Sequence, residues 1–522
     1  MLLGLFFITA DSILVKGIAC IVYDIMQAFF ITVFYCMGKD LPNLCKLKKY
    51  IIREKSMEKR NKFSGSFGFV LAAAGSAVGL GNIWRFPALA AKNGGGFFLL
   101  VYLILAVTFG FTLLITEVSI GRKTNQSSLT AYGKLNKKFS WLGVVSSVVP
   151  FLILPYYCIV GGWVLKYAVV FISGHGKDAA GSKFFVNFIS DPMWAIIFDL
   201  IFLFATCFVV YRGVNKGIES LSKILMPILL ILVVGIAIFS LTIKNKDTGV
   251  TGLEGFKYYV VPNVDGFTFG DYFRVIMDAM TQLFYSISVA MGIMVTYGSY
   301  YKKDDNLVKS VNQIEIFDTL VAFLAGVMII PAVYVFMGKE GMTGGAGLVF
   351  MVIPKVFESM GAIGQVIGTL FFLMVLFAAL TSSVSVLEAV VSGMIDKFGM
   401  ERKKAVISEG LIALVIGVII CLGYYSKSIF YMEVDLPNGA KGQQLLDVVD
   451  YLANNIFMPI VAIGTCVLIG WVVKPKTVID EATINGEKFG RKGLYKVMIT
   501  AIAPVLLVLI LLVSLGVIKL KG

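Results

Sequence analysis

One run of this sequence could do chemistry with its backbone: Gly75-Ser76-Ala77-Val78-Gly79-Leu80-Gly81-Asn82-Ile83-Trp84-Arg85-Phe86-Pro87. It lies in an apolar segment long enough to cross a membrane. Yet it holds Gly75, Gly79 and Gly81, and each glycine costs ~1 kcal/mol against Ala in a helix interior. In hydrocarbon, an unwound backbone survives only where protein or a watery cavity satisfies its N–H and C=O groups. The run therefore reads as a break in a membrane helix over 75–82, with freed carbonyls facing a site. A closely packed Gly-rich helix is the alternative. Asn82 and Arg85 favour the break, because polar groups inside a membrane are costly and are kept for function.

Further oxygens lie downstream. Gln282-Leu283-Phe284-Tyr285-Ser286-Ile287-Ser288-Val289-Ala290-Met291-Gly292 is a second polar interruption of an apolar span. Asp318 sits in an apolar run, and Thr381-Ser382-Ser383 follows Phe377-Ala378-Ala379-Leu380. Hard cations are held by carbonyl, hydroxyl, amide and carboxylate oxygens that replace water. Few carboxylates among many neutral oxygens suit a weakly held monovalent cation better than Ca²⁺. The serines and threonine could instead bond back to their own helices, and this alternative stays open. The amide N–H groups that begin the second half of a broken helix attract anions. Cations on one side and amides on the other suit a zwitterionic amino acid. Catalysis has no such support. There is no nucleophile–base pair and no phosphate loop, the single histidine is His175, and the seven cysteines form no CxxC pair. Cys158, Cys207, Cys421 and Cys466 fall in apolar segments and read as small buried apolar residues.

Helices in a bilayer must position these groups. Of 522 residues, 58% are hydrophobic and 15% charged, so the fold class is an all-α polytopic membrane protein. The net charge of +14 is explained by basic cytoplasmic loops, and no nucleic-acid partner is expected. Apolar spans run at about 64–90, 95–120, 141–172, 193–211, 219–243, 272–300, 309–338, 362–396, 404–424, 443–473 and 493–518, eleven transmembrane helices in all. Basic residues crowd the loops after even-numbered spans: Arg122 and Lys123, Arg212 and Lys216, Lys302 and Lys303, Arg402 and Lys403, Lys474 and Lys476. Those loops, and the residues before the first span, are expected on the cytoplasmic side of a plasma membrane. The loop near 339–361 is expected to fold as a hairpin over the outer mouth.

The two interruptions lie five spans apart, and five is odd, so the second set of spans enters from the opposite side. Residues 64–243 and 272–473 thus read as two inverted five-helix repeats with discontinuous first and sixth helices. Together with an additional helix at 493–518 they make a transporter domain over 57–522. Residues 1–56 are read as a non-core extension, untranslated sequence upstream of a start at Met57; a signal-like segment and a weak extra helix are the alternatives.

The Gly75–Pro87 run followed by Lys92-Asn93-Gly94-Gly95-Gly96, the Gln282–Gly292 break and Leu380-Thr381-Ser382-Ser383 together resemble the neurotransmitter:sodium symporter family, in its prokaryotic eleven-helix form. The likeness runs from about Arg60 to Trp471. It implies two Na⁺ sites. One would use the Ala77 carbonyl, Asn82, Ser286, Asp318 and the substrate carboxylate. The other would use the carbonyls of Gly75, Val78 and Ala378 and the hydroxyls of Thr381 and Ser382. Tyr157 matches the tyrosine that holds the substrate carboxylate. The implied pocket is lined by Ala77, Leu80, Gly81, Ile153, Tyr285, Ser286, Ser288, Ala290, Met291, Ser382 and Val386. Arg85 and Asp450 match an outer gate, and Arg60 and Asp396, with Tyr300 nearby, an inner one.

The chain departs from the family pattern in places. Phe63 stands where a Trp is usual at the inner plug. Ala290 stands where Gly is usual, which should trim the pocket. Asp318 stands where chloride-dependent members have Asn, and Ala322 where they have Ser. The expected function is sodium-coupled, chloride-independent symport of a neutral, apolar or aromatic amino acid by alternating access, with no formal charge in the pocket for a charged side chain. A proton-coupled carrier and a non-transporting receptor or scaffold of the same fold are the alternatives.

Overall fold

The structure, a computed structural model, describes residues 62–342 and 345–518. The extension at 1–56 and the gate candidate Arg60 lie outside the described residues. Helices α1 (Ser66–Ala77) and α2 (Gly81–Lys92) are the two halves of the first span, bent by 55°. Then come α3 (Gly96–Thr124), α4 (Lys137–Ile172), α5 (Pro192–Tyr211) and α6 (Val214–Thr242). The sixth span is again two helices, α7 (Phe269–Ser286) and α8 (Ile293–Tyr300). After it run α9 (Leu307–Met337), α10 (Ala362–Phe398), α11 (Arg402–Leu422), α12 (Leu445–Val472) and α13 (Lys492–Ser514).

Among the described residues nine helices are long and apolar enough to cross a membrane, and the bent pair α1–α2 makes a tenth. Eleven is reached only if α7 and α8, separated by Ile287–Gly292, cross as one span. Boundaries fall within a few residues of expectation, except that α6 begins earlier, in a π-helical turn at Val214–Glu219.

Burial separates two kinds of helix. α4 and α10 are largely enclosed by protein, whereas more than half of the residues in the most apolar stretches of α5, α6, α11 and α13 are not buried by protein. Phe204 and Ile231 are 68% and 70% exposed, as suits residues that face lipid. Lipid is as apolar as leucine, so close packing of small residues supplies much of the adhesion between such helices. The α3–α8 contact shows this. A methyl group at Gly121 would strike the Val295 carbonyl, and one at Gly298 the Val118 carbonyl.

The 339–361 loop carries helical turns at Leu348–Val352 and Ile353–Ser359. Its Phe350 stacks on Phe185 at 5.0 Å and lies 6.1 Å from Trp84, while the Tyr167 hydroxyl donates to the Phe350 carbonyl at 2.7 Å.

Overpacking a fitted contact costs about 1–3 kcal/mol. Gly121→Ala is therefore expected to lower the melting temperature of the purified protein, whereas Gly235→Ala on α6, with nothing within 4 Å of the added methyl, leaves it unchanged.

Candidate functional site

The first break begins at Val78, whose extended backbone (φ −73°, ψ 91°) stops α1. Helix resumes as a π-helical turn, Gly81–Arg85, a distortion that collects at functional sites. The second break holds Ser288, Ala290 and Gly292 at φ of 53°, 62° and 74°. Non-glycine residues pay for this left-handed region, so surrounding contacts must fix it. Two are visible. The Ser288 hydroxyl donates to the Ser76 carbonyl at 3.0 Å, and the Ala290 N–H donates to Glu117 Oε1 at 2.7 Å.

The two breaks meet at one carboxylate. Asp318, on α9, is fully buried. Its Oδ1 accepts from Asn82 Nδ2 at 2.8 Å and from the Ser286 hydroxyl at 2.7 Å, and its Oδ2 faces the Tyr102 hydroxyl at 3.4 Å. Asn82 follows the first break and Ser286 precedes the second. The carboxylate and the Ser286 hydroxyl are oxygens of the kind that hold hard cations, while Asn82 turns its amide nitrogen to Asp318 and its Oδ1 toward the Gly79 N–H at 3.4 Å.

A second oxygen cluster joins α10 to α1. The Ser382 hydroxyl lies 3.3 Å from the Gly75 carbonyl, 3.1 Å from that of Ser76 and 3.4 Å from that of Val78. Thr381 Oγ1 stays on its own helix, 3.0 Å from the Phe377 carbonyl and 3.1 Å from that of Ala378. Ser383 Oγ likewise lies 3.0 Å from the Leu380 carbonyl of its own helix, so of this run Ser382 is the residue that reaches across to α1. Missing side chains permit the approach: a Cβ at Gly75 would lie 3.3 Å from Thr381 Cβ, and one at Gly79 would lie 3.0 Å from Ser382 Oγ and 3.2 Å from the Tyr157 hydroxyl.

Between the breaks opens a cavity of about 410 Å³. Ala77, Leu80, Gly81, Asn82, Ile153, Tyr157, Tyr285, Ser286, Ser288, Met291, Ser382 and Val386 all line it. Ala290 does not. It is fully buried, with its N–H bound to Glu117 on α3, so its methyl does not trim the cavity. Arg85 and Asp450, the outer-gate candidates, line the cavity too, as does Asp447.

The gate candidates are arranged less simply than their pairing suggests. The Arg85 guanidinium lies 4.5 Å over the Tyr285 ring, a cation–π contact. Asp450 accepts from Asn454 at 2.6 Å, and among the described residues it forms no direct ion pair with Arg85. The Tyr285 hydroxyl donates to Asn455 at 3.1 Å. At the other end, Asp396 accepts the Ser127 N–H at 2.6 Å, and Tyr300 donates to Glu388 at 2.5 Å. Phe63 is 1% exposed and packs edge-on against Phe69, Tyr297 and Tyr300, so the smaller ring still fills its place.

Sequence reasoning passed over Glu117, Tyr102, the Ser76 carbonyl and the Glu388–Arg402 ion pair at 2.5 Å. Glu117 stood in plain view as a lone acid in an apolar run.

The family profile described as Sodium:neurotransmitter symporter family matches residues 60–175 and 186–521. The sodium-dependent transporter YhdH of Bacillus subtilis is 32% identical over 478 residues, which span 89% of this chain and 100% of that protein. The sodium- and chloride-dependent GABA transporter 2 of Rattus norvegicus is 26% identical, over 83% of this chain and 76% of its own length. Among solved structures, MhsT in complex with L-phenylalanine superposes with a TM-score of 0.76 at 33% identity, covering 87% of this chain and 100% of that one.

Asp318→Ala would strand the Asn82 amide and the Ser286 hydroxyl. Leaving buried groups unpaired costs about 1–3 kcal/mol each, so the melting temperature is expected to fall, and to fall less in Asp318→Asn, which keeps an acceptor oxygen.

Proposed function

This chain belongs to the sodium:neurotransmitter symporter family, and we propose that within it the protein is a chloride-independent symporter of a neutral, apolar or aromatic amino acid. It is a sodium-dependent, multi-pass membrane transporter, and its class is transport rather than catalysis. The finer reading rests on Asp318. A carboxylate shared by Asn82 and Ser286 brings a fixed negative charge to the place where chloride-dependent relatives would need an anion.

Two Na⁺ ions are assigned. The first lies among Asp318, Ser286, Asn82 and the Ala77 carbonyl. The second lies among the carbonyls of Gly75, Val78 and Ala378 and the hydroxyls of Thr381 and Ser382. The proximity of Ser382 to the α1 carbonyls supports the second assignment. The substrate would place its carboxylate toward Tyr157 and the first ion, and its side chain against Ile153, Met291 and Val386, which line the cavity. That MhsT is described with L-phenylalanine favours an aromatic or large apolar side chain. Arg85 and Asp450 would close the outer side, with Tyr285 beneath them, while Arg60, Asp396 and Tyr300 would close the inner one. Residues 57–522 form the transporting unit, and the residues preceding α1 face the cytoplasm.

The test is uptake of a panel of radiolabelled amino acids into proteoliposomes. L-phenylalanine is expected to accumulate when Na⁺ is outside, and to do so equally when gluconate replaces chloride. Asp318→Asn is expected to cut that uptake by about tenfold or more, as loss of a charge-assisted bond would, or to make it respond to chloride. Collapse of wild-type uptake in gluconate would sink chloride independence. Uptake driven by a pH gradient without Na⁺ would favour the proton-coupled reading.

A further inference from the structure

The cytoplasm-proximal half of the sixth span grips α10 by two parallel rungs. Tyr300 donates to Glu388 Oε1 at 2.5 Å and Tyr297 donates to Ser385 Oγ at 2.7 Å. The members of each pair lie 88 residues apart, and within each helix the rungs are three residues apart, so they share one face. All four side chains are buried. The Phe63 ring sits across both tyrosines, with centroids 5.7 Å from Tyr297 and 6.2 Å from Tyr300, and its N–H donates to the Tyr300 carbonyl at 3.2 Å.

The Tyr300 rung ends on Glu388, whose carboxylate is held by Arg402. The Tyr297 rung ends differently. Ser385 Oγ passes its own hydrogen to the Thr381 carbonyl at 2.9 Å. Thr381 opens the turn that carries Ser382, the residue reaching the α1 carbonyls. A continuous chain of hydrogen bonds thus runs from a ring against Phe63, through Ser385, to the turn beside the second cation assignment. An Oγ that both accepts and donates fixes the hydroxyl's orientation and polarises the pair.

The geometry points to Tyr297 and Ser385 as positioning residues that couple Na⁺ occupancy at Thr381 and Ser382 to closure of the cytoplasmic side. The inference rests on the assignment of that second Na⁺ site. Opening the inner side must carry Phe63 and α8 away from α10, and so break the Tyr297–Ser385 bond. The Ser385 hydroxyl is then no longer held in the orientation that donates to the Thr381 carbonyl, at the same time as the α1 carbonyls lose their neighbour. Na⁺, which needs the turn and the carbonyls together, favours the closed rung. Weakening the rung lowers the share of molecules competent to bind, and apparent affinity falls by that share.

The experiment is a Na⁺ titration of the purified full chain, read by tryptophan fluorescence, since Trp84 and Trp163 line the cavity. Melting temperatures are measured alongside. Tyr297→Phe and Ser385→Ala are each expected to raise the Na⁺ midpoint by up to about fivefold, the limit set by the net worth of one hydrogen bond. The double variant should go little further, because both changes cut the same chain, and Ser385→Thr, which keeps the hydroxyl, should stay near wild type. A purely structural role would lower the melting temperature and leave the midpoint where it was; that result in either folded single variant overturns the coupling. A wild-type protein that shows no Na⁺ response removes the cation assignment itself, and the coupling with it.

Discussion

A peptide backbone that leaves its helix inside a membrane must find partners for its carbonyls, and much of this molecule can be understood as the means of providing them. Where α1 ends, the carbonyls of Gly75, Ser76 and Val78 turn toward one hydroxyl, Ser382 on α10. Ser288, from the second break, shares the Ser76 carbonyl. Unpaired, such groups would cost several kcal/mol each in hydrocarbon. That cost explains why α4 and α10 stand inside a ring of other helices while α5, α6, α11 and α13 meet lipid. It also explains the glycines at 75 and 79, which have no side chain to hold Thr381, Ser382 and Tyr157 away.

The same reasoning joins the two breaks. One oxygen of Asp318 accepts from Asn82 and Ser286, on either side of the two breaks, so each broken helix is tied to α9 by its own bond, and the Ser288–Ser76 bond ties the breaks to each other. A cation placed among these groups would take over part of the carboxylate's charge and the carbonyls' dipoles. It would thereby stabilise the arrangement in which the breaks face each other. That is what coupling would require physically: an ion that favours one geometry of the two broken helices, and a substrate that needs the same geometry to bind.

The breaks and most span boundaries were legible because glycine, proline and asparagine clusters contradict the hydropathy around them. The register of individual side chains was not. Thr381 and Ser382 are adjacent, yet one bonds along its own helix and the other across to α1, a difference set by the rotation of α10. Ala290 was placed in the pocket by its match to a family position; Ser288 and Met291 on either side line the cavity and it does not, and in a segment with left-handed residues neighbours in sequence do not point alike. Arg85 and Asp450 looked like simple partners, but the arginine found the Tyr285 face and the aspartate found Asn454. The first choice depends on α7, a helix far away in sequence, and the second on a neighbour one turn along α12 itself. Glu117 is different. The rule that singled out Asp318, an acid in an apolar run, applied to it equally.

The most direct measurement is a pair of high-resolution structures, one in sodium and one with a bulky organic cation in its place. In sodium, ion density is expected at two positions, one against Asp318, Asn82 and Ser286 and the other between Ser382 and the carbonyls of Gly75 and Val78. Both should vanish in the organic salt. Ion density elsewhere, or the same water-filled site in both salts, would contradict the claim that oxygens freed by the two breaks take the place of water around sodium.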